Sequence, residues 1–229
     1  FEPVFNIDAN KILSVEANIK WHDHELNFHS KDKYYDVAIQ TGQINQIFSY
    51  VFQDICVFLD KNRDFSVPLA IYVSLEQLEQ TQFLSQIKDI LRKFNINNKL
   101  IEFQFTYKNP VSYSQRIIKT ITNLHRMGFN FTLLDFGKNN SDISQLRNCR
   151  IKKIKLSGEV LKNGGQNNYE LIKIFRLLTD KMNIALLAKD ITSQCEYHLI
   201  KELNLDGGQG PYFAPTLTLT KLSAFIENY

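Results

Sequence analysis

The fold is indicated most clearly by residues 151–203, in which strand-like and helix-like segments alternate. This stretch reads IKKIKL at residues 151–156, NYELIKIFRLLTDKM at 168–182, IALLAK at 184–189 and SQCEYHLIKEL at 193–203. Short apolar runs are typical of strands, and apolar residues that recur every three or four positions indicate amphipathic helices. Strands separated by helices favour a parallel sheet.

The same alternation extends outward from this stretch to both ends of the chain. Further strands are predicted at 1–7, 12–21, 68–73, 100–106, 129–136 and 205–208, and further helices at 37–59, 75–94, from Pro110 onward, at 141–148 and at 216–228. The turn Asp8-Ala9-Asn10 predicts an antiparallel hairpin between the first two strands. We therefore expect an α/β fold, a modified TIM barrel with one antiparallel strand near its start.

Composition bounds the class of protein. The 229 residues are 44% hydrophobic and 22% charged, as in globular proteins, and we expect one domain over residues 1–229. The formal net charge of +3 is small for a dedicated nucleic-acid-binding domain. The three cysteines are isolated, which favours a reducing cytoplasm over a disulfide framework. No apolar run is long enough to span a bilayer, and a chain that opens within a strand reads as a piece of a longer protein.

Short motifs stand where the predicted strands end, which is where barrels of this kind carry their chemistry. In chain order they are EPV at 2–4, EANIKW at 16–21, YVS at 72–74, QFTY at 104–107, LDFG at 134–137, KLS at 155–157, AKDIT at 188–192 and GQG at 208–210. Their order and spacing resemble the QPI, EALLRW, NLS, EITE, DDFG, KID, AEGVE and QG motifs of the EAL family over essentially the whole chain. The resemblance implies an EAL-type barrel.

The resemblance also implies a metal site, and this chain departs from it. Active EAL members hydrolyse cyclic-di-GMP with two divalent ions, which prefer carboxylate ligands. We expect a vestigial site at Glu16, Asp135, Lys155 and Gln209. Other side chains stand at matching ligand positions, which we take as lost: Tyr72, Gln104, Leu134, Lys189 and Thr192. We therefore expect no bound metal or other cofactor and no phosphodiesterase activity.

A second interpretation is a metal-independent receptor for cyclic-di-GMP. EAL relatives of that kind usually retain a Gln in the first strand and an Arg after the EAL motif. Here those positions are Glu2 and Lys20. A carboxylate repels phosphate, and Lys lacks the bidentate fork of Arg, so nucleotide binding is disfavoured.

Three runs resemble the CsrD/MshH type of degenerate EAL regulator: 73–78, 154–163 and 207–214. That resemblance implies a regulatory module of a GGDEF–EAL protein, cytoplasmic and tethered to the inner membrane through other parts. The module would bind EIIA of the glucose phosphotransferase system and control turnover of the small RNAs that titrate CsrA. EAL domains also pair through their helices, so a homodimer stays open.

Three features have plainer interpretations. Glu16, Asp135 and Lys155 can be a relict ion cluster that holds the barrel mouth together. His22 and His24 fit a solvated loop better than a metal site. The basic run from Arg150 to Lys155 alternates between two faces of a strand, so direct RNA binding by this domain is not expected.

Overall fold

The structure is a computed structural model that describes residues 1–8, 11–19, 31–106, 114–137, 149–162 and 166–229. Strands β1 to β8 are Glu2–Asn6, Ile12–Ala17, Leu69–Tyr72, Ile101–Thr106, Asn130–Phe136, Lys153–Leu156, Ala185–Ala188 and Gly207–Gln209. Helices α1 to α9 of the described part are Lys31–Gln40, Ile44–Lys61, Leu75–Glu79, Phe83–Leu91, Gln115–Arg126, Gly158–Lys162, Gln166–Met182, Gln194–Glu202 and Leu219–Glu227.

The strands close into a barrel in chain order. Each neighbouring pair from β2 to β8 is parallel, whereas β1 is antiparallel to both β2 and β8. The predicted modified TIM barrel is therefore confirmed, although its antiparallel strand forms two antiparallel pairs instead of the single hairpin pair. The β1–β8 seam needs glycine at Gly207, because a Cβ there would lie 2.4 Å from the carbonyl oxygen of Phe5.

Two predicted helices are each divided in the structure. The turn at residues 41–43 separates α1 from α2, and Gly42 has a φ of +72°, which ends the first helix. The predicted helix at 75–94 is divided into α3 and α4 because the backbone of Gln80 is extended. Helix α1 begins at Lys31, six residues before the predicted helix at 37–59. Apolar spacing continues across both breaks, so periodicity alone does not detect them.

Serine caps begin three of the helices that follow barrel strands. Ser74, Ser114 and Ser193 precede α3, α5 and α8, and each hydroxyl accepts a hydrogen bond from a backbone N–H three residues later. Ser74 forms a full capping box with Gln77. Each cap stabilises its helix by about 1 kcal/mol. The caps therefore fix the direction in which the chain leaves the barrel.

The apolar core lies between the outside of the barrel and the helices. Phenylalanines dominate it, with ring centroids 6.0 Å apart for Phe52 and Phe103 and 4.8 Å apart for Phe103 and Phe129. Several polar side chains are buried as well, among them Ser14, Glu102, Gln104, Thr132 and Lys155. TIM barrels usually fill their interior with Val, Ile and Leu.

Within the described residues, no helix has the length and apolar character needed to cross a membrane.

Several predicted features lie outside the described residues. They are Lys20, Trp21, His22, His24, Tyr107, Pro110 and the predicted helix at 141–148.

Candidate functional site

A polar layer from alternate strands lies inside the barrel near its C-terminal end. It consists of Glu16 on β2, Gln104 on β4, Lys155 on β6 and Gln209 on β8. Lys155 is fully buried, and its Nζ donates to Glu16 Oε2 and to Gln209 Oε1, each at 2.7 Å. In such barrels, side chains from every second strand usually form one interior layer, and they are usually apolar. The side chains of this layer are polar. Lys155 therefore joins β6 to β2 and to β8.

Gln104 completes this layer when its amide is oriented for its neighbours. In one orientation Nε2 donates to Glu102 Oε1 at 3.3 Å. In the opposite one the nitrogen lies 3.2 Å from Glu16 Oε2 and the oxygen lies 3.1 Å from Lys155 Nζ. The second orientation satisfies both ends of the amide, so we assign it as the preferred state.

A second polar layer lies two residues earlier on β2, β4 and β6, toward the N-terminal end of the barrel, and Thr132 of β5 joins it. Lys153 Nζ lies 2.6 Å from Glu102 Oε2 and donates to Ser14 Oγ at 3.2 Å. Thr132 Oγ1 donates to Glu102 Oε1 at 2.7 Å. Burial disfavours the charge on Glu102, but Lys153 and the hydrogen bonds outweigh it and lower the pKa of this carboxyl. The interior thus holds a second ion pair below the first.

The mouth of the barrel carries a third ion pair, between Lys189 and Asp135. Asp135 is the second-last residue of β5 and has a φ of 55°. Its Oδ1 lies 2.8 Å from Nζ of Lys189, which follows β7. Burial disfavours the charged form of Lys189. The carboxylate of Asp135 outweighs this effect, so the pKa of Lys189 lies above its usual range. Both acidic residues of the predicted site are therefore bound by lysines.

Aromatic side chains close one side of the mouth. The ring of Tyr72, at the end of β3, packs on that of Tyr35 from α1 with centroids 4.3 Å apart. Tyr72 also hydrogen-bonds Thr106. Burial raises the pKa of both phenols, and the charge of Glu16 adds to the shift of Tyr35. Tyr35 therefore lies near the carboxylate.

The remaining predicted residues have other neighbours. Leu134 is buried at the end of β5. Thr192 is bound to Glu196 at the start of α8, through its backbone N–H at 2.6 Å and its hydroxyl at 3.0 Å. It therefore lies just before Ser193, the cap of this helix, beside the site. Of the nine predicted positions, the structure joins Glu16, Gln104, Lys155 and Gln209 in one network and Asp135 with Lys189 in a separate pair.

Sequence reasoning missed Tyr35 and the lower layer. Tyr35 lies two residues before the predicted helix at 37–59, and no motif marked it. The lower layer did have a signal, because polar residues repeat at a spacing of two in Ser14/Glu16, Glu102/Gln104 and Lys153/Lys155. That period places both members of each pair on the same face of a strand.

The site offers hydrogen-bond donors and acceptors that are already matched to each other. Gln209 Nε2 donates to Glu2 Oε2 at 3.0 Å, so β1 joins the network as well. In the described part of the chain, no three His, Cys, Asp or Glu side chains are grouped closely enough to hold a metal ion.

Comparisons with known proteins agree with this architecture. The EAL domain family matches residues 1–216. The signaling protein YkoW of Bacillus subtilis is 22% identical over 99% of this chain and 29% of its own length. The cyclic di-GMP phosphodiesterase PA2567 of Pseudomonas aeruginosa is 20% identical over 99% of this chain and 39% of its own. The chain thus spans less than two-fifths of either relative.

A solved structure shows the same fold. The EAL enzyme Bd1971, in its cAMP- and cyclic-di-GMP-bound form, superimposes with a TM-score of 0.86 at 18% identity, over 99% of this chain and 63% of the other. Because the family match covers nearly the whole chain and the barrel has the same architecture, this chain belongs to the EAL domain family.

Proposed function

We propose that this EAL domain is a non-catalytic regulatory module of cyclic-di-GMP signalling. One observation carries the proposal: Glu16 and Asp135, the carboxylates at two family ligand positions, are each bound by a lysine. An ammonium group within 3 Å supplies the positive charge that a metal ion would otherwise supply.

The donor set supports this proposal because it does not fit two divalent ions. Hard cations require several oxygen ligands, mostly carboxylates. Here a phenol, a buried leucine and a lysine stand at three of the matching positions: Tyr72, Leu134 and Lys189. Gln104 supplies an oxygen without charge, and Thr192 binds Glu196 instead.

Incubation of the pure chain with cyclic-di-GMP and Mn²⁺, followed by chromatography, tests the absence of catalysis. We expect no linear dinucleotide. Turnover that is lost in Glu16→Ala but kept in the surface variant Lys221→Ala would refute the proposal.

A Lys189→Glu variant returns a carboxylate beside Asp135, and we expect it to gain thermal stability from Mg²⁺ where the parent chain gains none.

A cyclic-di-GMP receptor without hydrolysis is the second candidate. It is favoured by the bound nucleotide of the structurally similar Bd1971, and disfavoured by the carboxylate of Glu2 beside Gln209. Calorimetric titration with cyclic-di-GMP, with and without Mg²⁺, separates the two. Metal-independent binding that is weakened by Gln209→Ala would support the receptor.

The proposed protein partner rests on the three runs that resemble CsrD/MshH regulators. They point to EIIA of the glucose system and to control of small-RNA turnover, whereas the relatives above include a phosphodiesterase. We expect the unphosphorylated form of EIIA to bind more tightly, because a phosphohistidine adds negative charge to an apolar contact. A regulatory contact of modest area has micromolar affinity, about −8 kcal/mol. Calorimetry with both forms of EIIA tests this, and equal binding or no binding excludes it.

A further inference from the structure

The end of the barrel opposite the candidate site carries a predominantly basic surface. Three segments approach adjacent strands there: 91–100 before β4, 125–130 before β5 and 149–152 before β6. We call them the basic rim. They contain six basic residues and no acidic one: Arg92, Lys93, Lys99, Arg126, Arg150 and Lys152. The rim thus carries a formal charge of +6, although the whole chain carries only +3.

The three segments form one continuous surface. Strands β4, β5 and β6 are parallel neighbours, so the loops before them lie side by side. The Lys99 carbonyl accepts a hydrogen bond from the Asn130 side chain, and the Lys99 side chain lies 3.9 Å from the position of a Cβ built on Gly128. The Lys152 N–H donates to the Phe131 carbonyl at 3.0 Å.

The positive charges of the rim are exposed and available. All six basic side chains belong to exposed residues. Arg92 pairs with Asp89 at 2.9 Å. Among the described residues, the other five make no ion pair: Lys93, Lys99, Arg126, Arg150 and Lys152. Lys153, by contrast, points into the barrel and binds Glu102. Like charges repel one another, so these five side chains favour an anion, even though Asp60 and Asp89 border the rim.

The backbone at Arg150 gives an independent indication. Four turns lead into strands β5 to β8 through a residue with positive φ followed by an apolar residue. Three of them use the residues that tolerate this conformation, namely Gly128, Asn183 and Asn204. The fourth uses Arg150, at a φ of 47°. An arginine in the left-handed region is strained, and such strain is typical of residues kept for a role other than stability.

We infer that the basic rim binds the phosphate backbone of a double-stranded nucleic acid, without reading its sequence. Exposed cations with amide groups beside them are the usual partners of phosphate oxygens. A groove of about 400 Å³ lies on this surface. It is lined by Lys99, by Arg63, which pairs with Asp60, by the amides of Asn95, Asn97 and Asn98, and by Ile96, Met127 and Gly128. The groove is independent of the barrel mouth, so this inference does not rest on the proposed function.

Among the described residues, the rim has no large apolar side chain that is mostly exposed, although Ile96 and Met127 line the groove as partly buried residues. This distinguishes the partner from two others. In the described part of the chain, the exposed large apolar side chains, such as Ile174 and Leu177, lie outside these segments. Single strands bind by stacking on aromatic rings, and membrane surfaces bind helices that insert apolar side chains. The earlier expectation against RNA binding considered residues 150–155 alone, and three separate loops build the rim.

Fluorescence anisotropy with labelled 20-base-pair RNA and DNA duplexes tests the inference on the whole chain. We expect log K to fall with log salt at a slope of about −4 to −5, because each phosphate contact contributes about −0.9. In the variant Lys99→Gln/Arg126→Gln/Lys152→Gln we expect a slope smaller by about 3. The control Lys162→Gln/Lys173→Gln/Lys221→Gln removes as much charge from other surfaces and should keep the parental slope.

Arg150→Asn separates a binding role from a structural one. Asparagine suits the positive φ, so this variant should melt no lower than the parent chain while binding duplexes several-fold more weakly. Several results would overturn the inference: no duplex binding at 50 mM salt, equal losses in the control variant, or Arg150→Asn binding as tightly as the parent. Tighter binding to a single strand or to vesicles of anionic phospholipid would also overturn it.

Discussion

Removing Lys153 tests the ion pair that it forms with Glu102, the lower of the two ion pairs inside the barrel. Glu102 has a side chain that is only 2% exposed, and it lies 2.6 Å from the ammonium of Lys153. Loss of one partner from a buried pair costs about 3–5 kcal/mol, because the other charge stays buried without compensation. The Lys153 side chain is 17% exposed and Glu102 keeps its bond to Thr132, so we expect the lower end of that range. The Lys153→Met variant should therefore lose about 3 kcal/mol of unfolding free energy at pH 7.

The loss should depend on pH in a defined direction. In the parent chain the pKa of Glu102 is lowered, so its contribution is present above the unfolded pKa of about 4.3 and is lost as pH falls through the folded pKa. Without Lys153, only Thr132 and Lys155 oppose the effect of burial. We expect burial to prevail and to raise the pKa of Glu102, so the variant loses stability as pH rises. The difference between the two proteins should widen from pH 4 to pH 7.

Urea unfolding followed by circular dichroism at several pH values measures this difference. The double variant Glu102→Gln/Lys153→Met removes both charges and should recover much of the loss. A Lys153→Met variant within about 0.5 kcal/mol of the parent at pH 7, or a difference that does not change with pH, would refute the reasoning.

Three further predictions concern single positions. Gly210→Ala should cost more than about 3 kcal/mol or prevent folding, since its Cβ would lie 2.3 Å from a backbone oxygen at a φ of +147°; soluble expression and thermal melting report this. Ser74→Ala should lower the unfolding free energy by about 1 kcal/mol through loss of the capping box, and an unchanged urea midpoint would contradict it. Cys195 is exposed and should react first with a thiol reagent, whereas burial raises the pKa of two thiols to about 12 and should keep them slow under native conditions: Cys56 and Cys149.

The barrel and its order were predictable because strand and helix periods alternate regularly along the chain. The second antiparallel pair was not, because the meeting of β1 with β8 is set by barrel closure and not by any local turn. Helix ends at Gly42 and Gln80 were missed since apolar spacing runs through both. Motif positions indicated which residues stand at the mouth. They did not indicate which lysine would bind Asp135, because the contact of Lys189 with Asp135 joins residues 54 positions apart.

The direction of β1 decides where anything attached to the N-terminus emerges. Glu2 pairs with Glu16 across the hairpin, so the first residues of the chain lie at the barrel mouth. In an all-parallel barrel the first strand would begin at the opposite end. A fluorophore or fusion placed ahead of Phe1 would therefore report directly on events at Glu16 and Lys155. The same label placed in the turn after β1 would report on the far end.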